Sequence, residues 1–197
     1  MKKFKFMAKL AGILFAVAFI CTLLLVLCNN LTKDKIAERQ KKTEEEAQSS
    51  VLKAAESFTD EKKYMMFLSD STVTSVLKGT DKNGKTVGYC VKAEPSGYGG
   101  KISMMIGLDT DFNVTGIKIT SMSETPGLGA KADSNWIDQF TGKSGGLEVV
   151  KTGNAGDSQI NAISGATITS KAVTSGVNSA VSAAKIISQA EADKNVK

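Results

Sequence analysis

The stretch Asn161-Ala162-Ile163-Ser164-Gly165-Ala166-Thr167-Ile168-Thr169-Ser170-Lys171 concentrates side chains suited to chemistry. Ser164, Thr167, Thr169 and Ser170 bring four hydroxyls to the entrance of an amphipathic helix expected over Thr169–Ala192. Unpaired N–H groups and the positive end of the helix dipole favour an anion at such a place, above all a phosphate. Gly165 and Ala166 leave room for a ligand against the backbone. The same Ser and Thr residues equally suit a plain N-cap with no ligand. Two other segments are rich in glycine: Gly97-Tyr98-Gly99-Gly100, and Glu124-Thr125-Pro126-Gly127-Leu128-Gly129. Taken alone, the first reads as a connection that needs positive φ.

Composition removes much other chemistry. The chain has 197 residues and no His, so no Ser-His-Asp or Cys-His nucleophile system exists in it. A His-ligated metal or haem is excluded on the same ground. Three Cys without a C-x-x-C pair cannot build a four-Cys zinc or iron–sulfur site. The 25 Lys+Arg exceed the 20 Asp+Glu by five, but Lys2, Lys3, Lys5 and Lys9 supply four of those charges. The rest of the chain is almost neutral, with 21 basic and 20 acidic residues, and lacks the clustered Lys/Arg of a nucleic-acid footprint. No nucleic-acid partner is expected.

The elements that position the hydroxyl segment follow from patterning. Leu10–Thr32 carries no charge and includes LAGILFAVAFICTLLLVLC, long enough to cross a bilayer. It exceeds the apolar core of a signal peptide and ends at Leu27-Cys28-Asn29-Asn30, which is no small-x-small cleavage site. It therefore reads as an uncleaved anchor. Lys33, Lys35, Arg39, Lys41 and Lys42 follow the span, so flanking charge barely favours either orientation. A short basic N-terminus before a long translocated domain places the bulk of the chain outside the cytoplasm.

Residues 33–58 read as a helix continuing from the span, with Glu38–Lys42, Lys41–Glu45 and Lys42–Glu46 pairs and a stripe of Ala47, Val51, Leu52, Ala55 and Phe58. Thr72–Lys78 and Lys85–Ala93 flank the turn residues Asp81-Lys82-Asn83-Gly84 and predict a hairpin. Ile102–Leu108 and Val114–Ser121 predict a second one. Cys90 reads as a small core residue in a strand. Ser134 is the expected N-cap of a helix over Ser134–Phe140. Val173, Val177, Val181, Ala184 and Ile187 form one helical stripe. The fold class is α+β: one N-terminal transmembrane helix, then antiparallel strands with packed helices. The expected organisation is a basic cytoplasmic N-terminus (1–9), a transmembrane helix (10–32), a helical stalk (33–68), a ligand-binding domain (69–192) and a C-terminal tail (193–197).

Ser164-Gly165-Ala166-Thr167 followed by Ile168-Thr169-Ser170 resembles the flavinylation motif of the FMN-binding domain family. Glu124-Thr125-Pro126-Gly127-Leu128-Gly129 resembles that family's second signature, which lies against the isoalloxazine ring, and Gly97-Tyr98-Gly99-Gly100 resembles a third. In length and layout the chain is similar to the G subunits of the Rnf (Rsx) ion-translocating electron transport complexes. The resemblance implies covalent FMN, esterified through its phosphate to Thr167. Ser164, Gly165, Ala166, Thr169, Ser170, Glu124, Thr125, Gly127 and Leu128 are the implied cofactor-binding residues. No catalytic side chain and no metal site are implied. The implied function is electron transfer in an ion-translocating ferredoxin:NAD oxidoreductase, as a redox subunit without complete activity alone. The implied partners are other membrane and iron–sulfur subunits, a flavin transferase for maturation, and the lipid bilayer. The implied location is a prokaryotic cell membrane, with one span and the FMN domain on the extracytoplasmic side.

Alternatives are the C subunit of a sodium-translocating NADH:quinone reductase, a free-standing extracytoplasmic flavoprotein, or a membrane-tethered binding protein without flavin. Two positions depart from the family pattern. Asn161 stands where Asp is common, and Met122 where His is common.

Overall fold

The computed structural model describes residues 2–195 apart from 69, 152 and 154. The side chains of Lys2, Lys3 and Lys5, in the predicted basic N-terminus, lie outside that description, as do residues 196–197 of the predicted tail. The chain divides into two compact units, residues 1–42 and 43–197.

Helix α1 (Lys2–Val51) supplies all the secondary structure of the first unit. Its most apolar 18-residue window has a mean hydropathy of 2.9 and no buried residue. An apolar helix exposed on every side is suited to a bilayer rather than to a protein core. Beyond the apolar run the helix is charged, and the expected Glu38–Lys42 ion pair forms at 3.1 Å.

The second unit is built on a five-stranded antiparallel meander. Its strands run in chain order: β1 (Ser57–Asp60), β2 (Val73–Thr80), β3 (Thr86–Ala93), β4 (Ser103–Leu108) and β5 (Val114–Ser121). The two predicted hairpins are β2–β3 and β4–β5. Asp81 nucleates the first turn by accepting from the N–H groups of Asn83 and Lys85, and Asp109 does the same for Asp111 and Asn113 in the second. Helix α2 (Thr167–Asn195) covers one face of the sheet. Every residue of its predicted stripe is buried against a core that includes Val91, Ala93, Met104, Ile106 and Leu108.

The opposite face is also covered. There Ala47 and Val51, at the end of α1, pack with Cys90 and Met105, joined by Phe58 and Leu77. Burial on both faces explains the unbroken apolar character of Tyr89-Cys90-Val91, where a sheet with one wet face would alternate. Lys92 Nζ donates to Glu44 at 2.7 Å, and Thr115 Oγ1 donates to the Val51 carbonyl.

The expected helix over 33–58 stops at Val51. The helical spacing of Ala55 and Phe58 is overridden by strand pairing: Glu56 N–H bonds the Thr80 carbonyl, and Ser57–Asp60 pair with Leu77–Thr80. A 3-10 helix, Lys62–Phe67, follows. Sequence patterning also misses a short parallel pair, β6 (Glu148–Val150) with β7 (Gln159–Asn161). Three-residue strands carry too little periodicity to be read. This pair is pinned to α2 by Asn178, whose amide exchanges two hydrogen bonds with the backbone of Leu147.

Gly107 is what lets α1 approach the sheet. A Cβ there would stand 2.2 Å from the Val51 carbonyl oxygen, a backbone atom that cannot swing aside. Gly107→Ala is expected to lower the unfolding free energy by about 1–3 kcal/mol, the range for overpacking. Cys90 reports on the same contact, because burial pushes its thiol pKa up to about 12. Thiolate is the reactive form, so Cys90 resists alkylation near neutral pH while the face stays covered. Pulse alkylation read by peptide mass should show faster Cys90 labelling in Gly107→Ala. Unchanged labelling and stability would contradict the close packing.

Candidate functional site

Three connections converge beside the N-terminus of α2. The first, Gly97–Gly100, links β3 to β4 and is closed by a bridge between Ser96 and Lys101 and by Gly97 N–H donating to the Gly100 carbonyl at 2.7 Å. The second follows β5, turning through Gly127 at φ 78° into a 3-10 helix, Gly129–Asp133. The third is the run from Asn161, at the end of β7, to Thr167. Together they bound a cavity of about 620 Å³ lined by Tyr98, Glu124, Thr125, Leu128, Gly129, Gly165, Ala166, Thr167, Ile168 and Thr169. That size lies within the usual range for small-ligand sites.

Glu124, in the second connection, bonds to the first connection and to the first turn of α2. It is 7% exposed. Its Oε1 accepts from Gly99 N–H at 2.9 Å, and its Oε2 accepts from the Thr169 hydroxyl at 2.6 Å. Glycines make room for it: a Cβ on Gly97 would stand 2.3 Å from Oε1, and one on Gly129 2.5 Å from Oε2.

The four hydroxyls of the motif have different surroundings. Ser164 is exposed and outside the cavity lining. Thr169 is buried and engaged with Glu124. Ser170 is fully buried, accepting from Ile163 N–H and donating to the Ala166 carbonyl, each at 2.9 Å. Thr167 is half-buried and lines the cavity, and its hydroxyl has no hydrogen-bond partner among the described residues.

None of these residues caps α2, contrary to the capping alternative. The helix starts at Thr167, two residues before the predicted start. Its first internal bond runs from Ser170 N–H to the carbonyl of Ala166, which has no side-chain acceptor. The N–H groups of Thr167, Ile168 and Thr169 find no acceptor among the described residues. Ser134, by contrast, does accept from Trp136 N–H at the head of the Asn135–Phe140 helix, as expected, although that helix is 3-10.

Of the expected site residues, Glu124, Thr125, Leu128, Gly165, Ala166, Thr167 and Thr169 line the cavity, whereas Ser164, Gly127 and Ser170 do not. Ser170 instead braces the run before the helix, and Gly127 provides the positive φ of its turn. Tyr98, Ile168 and Gly129 line the cavity but are absent from the expected set. Ile168 had a sequence signal, since it lies off the apolar stripe of α2; in the structure it is 55% exposed. Tyr98, an aromatic among glycines and 72% exposed, had another.

The two departures from the family pattern lie outside the lining. Met122 packs against the main core. Asn161 is fixed by its backbone, donating to Gln139 Oε1 and accepting from Trp136 Nε1, while its buried Oδ1 lacks a hydrogen-bond partner among the described residues.

The family model for the FMN-binding domain matches residues 97–182, which contain all three connections. The model for the RnfG N-terminal region matches residues 1–51, which include α1. The G subunit of the Na(+)-translocating ferredoxin:NAD(+) oxidoreductase complex of Acetobacterium woodii is 40% identical over 188 residues, covering 90% of this chain and 91% of its own. The chain belongs to the RnfG family. Another relative, the G subunit of the ion-translocating oxidoreductase complex of Methanosarcina acetivorans, is 33% identical and covers 84% of this chain and 87% of its own. The crystal structure of NqrC from Shewanella oneidensis shares the fold, with a TM-score of 0.50 at 21% identity over 71% of this chain and 72% of its own. As a member of the RnfG family, the chain carries an FMN-binding domain and a helix long and apolar enough to span a membrane.

The residues present fit FMN. The uncapped start of α2 offers N–H groups and a positive dipole end to a phosphate. Leu128 and Ile168, both substantially exposed, and the Tyr98 ring offer apolar surface to a flat ring system.

Proposed function

We propose that this chain is the membrane-anchored electron-transfer subunit of an Rnf-type ferredoxin:NAD oxidoreductase, with FMN esterified to Thr167 Oγ1. The observation that carries the reading is the convergence of three connections on a cavity at the uncapped start of α2, where Thr167 alone of the four motif hydroxyls is both cavity-lining and unengaged. When bound, FMN supplies electron transfer without help from a protein acid or base. The first turn of α2 holds the phosphate charge. The apolar side chains of Leu128 and Ile168 shield the ring from water, and the covalent link prevents loss of the group.

The FMN domain stands on the extracytoplasmic side, where no FMN pool would replace a dissociated cofactor. A flavin transferase forms the ester, and iron–sulfur and membrane subunits deliver and accept electrons. Alone the subunit has no complete activity, because its sequence holds no dinucleotide-binding glycine fingerprint or iron–sulfur ligand set. The G-subunit relatives favour this complex over the quinone-reductase alternative.

The test is the intact mass of the full chain purified from membranes after co-expression with a flavin transferase. The expected result is a gain equal to FMN less one water, with in-gel flavin fluorescence. An unmodified mass under those conditions would overturn the covalent reading.

A further inference from the structure

We infer that Glu124 is the positioning residue of the cavity and that its fixed negative charge lowers the reduction potential of the flavin held there. The inference rests on the flavin reading of the cavity and adds a role for this side chain within it.

The geometry singles Glu124 out. Its carboxylate holds the glycine loop at Gly99 and the first turn of α2 at Thr169, so one side chain sets the distance between two walls of the cavity. The glycines at 97 and 129 admit it there, since an added Cβ would stand 2.3 Å from Oε1 or 2.5 Å from Oε2. Accepting at both oxygens suits the ionised form. Its charge is uncompensated by a cation, since none of the ion pairs among the described residues includes Glu124. A fixed unit charge bordering a partly enclosed cavity is felt more strongly than one in bulk water. An electron arriving without a proton adds negative charge to the ring system, and the carboxylate opposes it. The reduced form is therefore disfavoured, and the potential falls.

Charge and geometry separate experimentally. Glu124→Gln keeps the length and both hydrogen bonds: the amide oxygen accepts from Gly99, and the amide N–H donates to Thr169 Oγ1 with that hydroxyl turned. In the flavin-loaded full chain, Glu124→Gln is expected to raise the midpoint by at least a tenfold change in the equilibrium constant, about 59 mV for a one-electron couple. Its thermal unfolding should stay close to wild type. Glu124→Met, neutral and of similar length, carries the same expectation for the potential. Midpoints equal to wild type in both variants would overturn the electrostatic role.

The positioning role has its own readout, free of flavin. In a Thr167→Ala background, Glu124→Ala should speed hydrogen exchange at the Gly99 amide at least tenfold, while Glu124→Gln should not. Equal exchange rates in all three proteins would overturn the positioning role. A wild-type chain that takes up no flavin would reject the flavin reading instead, and the exchange comparison would still decide whether Glu124 positions the loop.

Discussion

Thr167→Ala is expected to give a folded protein with no covalent flavin. Thr167 is half-buried and its hydroxyl makes no hydrogen bond among the described residues, so its removal should cost under about 1 kcal/mol. The effect on modification, in contrast, should be complete, because no neighbouring hydroxyl can take over. Thr169 is committed to Glu124, and Ser170 to Ile163 and Ala166. Ser164 is exposed but stands outside the cavity lining. Ser164→Ala should therefore keep both the adduct and the stability. Ser170→Ala should keep the adduct but lose about 1–3 kcal/mol, since it leaves the buried Ile163 N–H without a partner. In-gel flavin fluorescence and thermal melts of the three variants read both quantities. An adduct surviving in Thr167→Ala, or lost in Ser164→Ala, would refute the assignment of the acceptor.

Gly99→Ala should be the most damaging single-methyl change in the cavity. A Cβ at Gly99 would lie 2.0 Å from the Ser123 carbonyl oxygen and 2.9 Å from its carbon. Both are backbone atoms adjacent to Glu124, so relief requires the two loops to part. Parting them breaks the bond from Gly99 N–H to Glu124 and strands a buried carboxylate oxygen. Overpacking and the loss of a hydrogen bond to a charged group together predict about 2–5 kcal/mol of destabilisation. Flavin incorporation should fall with it, because the cavity loses the spacing between its walls. Gly84→Ala is the control: its Cβ would meet nothing within 4 Å, although its φ of 76° adds backbone strain. Chemical denaturation and flavin stoichiometry distinguish the two. Equal loss in both variants would show that general loop strain, not the closure of this cavity, sets the cost.

The legible parts of the sequence were those whose physics is local. The apolar run before Thr32 needs only length and composition to be read as a span. The two hairpins follow from turn residues between β-branched runs, and Asp81 and Asp109 make the expected turn contacts. The stripe on α2 repeats for long enough to be unambiguous. Where the reading failed, a distant partner had intervened. Phe58 has helical spacing with Val51 but joins β1, because Thr80 and its neighbours offered a strand edge. Ser164, Thr167, Thr169 and Ser170 all looked able to cap α2, yet Thr169 was claimed by Glu124, 45 positions away.

The sequence by itself determined the kind of molecule. The absence of His and the shortage of Cys excluded several chemistries, and the resemblance of three motifs to the FMN-binding domain family implied FMN. Those conclusions depend on which residues exist and on spacings within a few positions, and both are properties of the chain before it folds. Only the tertiary structure decided which of the motif hydroxyls are engaged and which one faces the cavity. A hydroxyl is available for modification when nothing else bonds to it and a cavity opens before it. Thr169 is taken by Glu124, 45 positions away, and the cavity before Thr167 is lined in part by the distant Leu128. Glu124 itself became the hub of the site only when folding brought Gly99 and Thr169 to its two oxygens, because hydrogen bonds depend on distance in space and not along the chain.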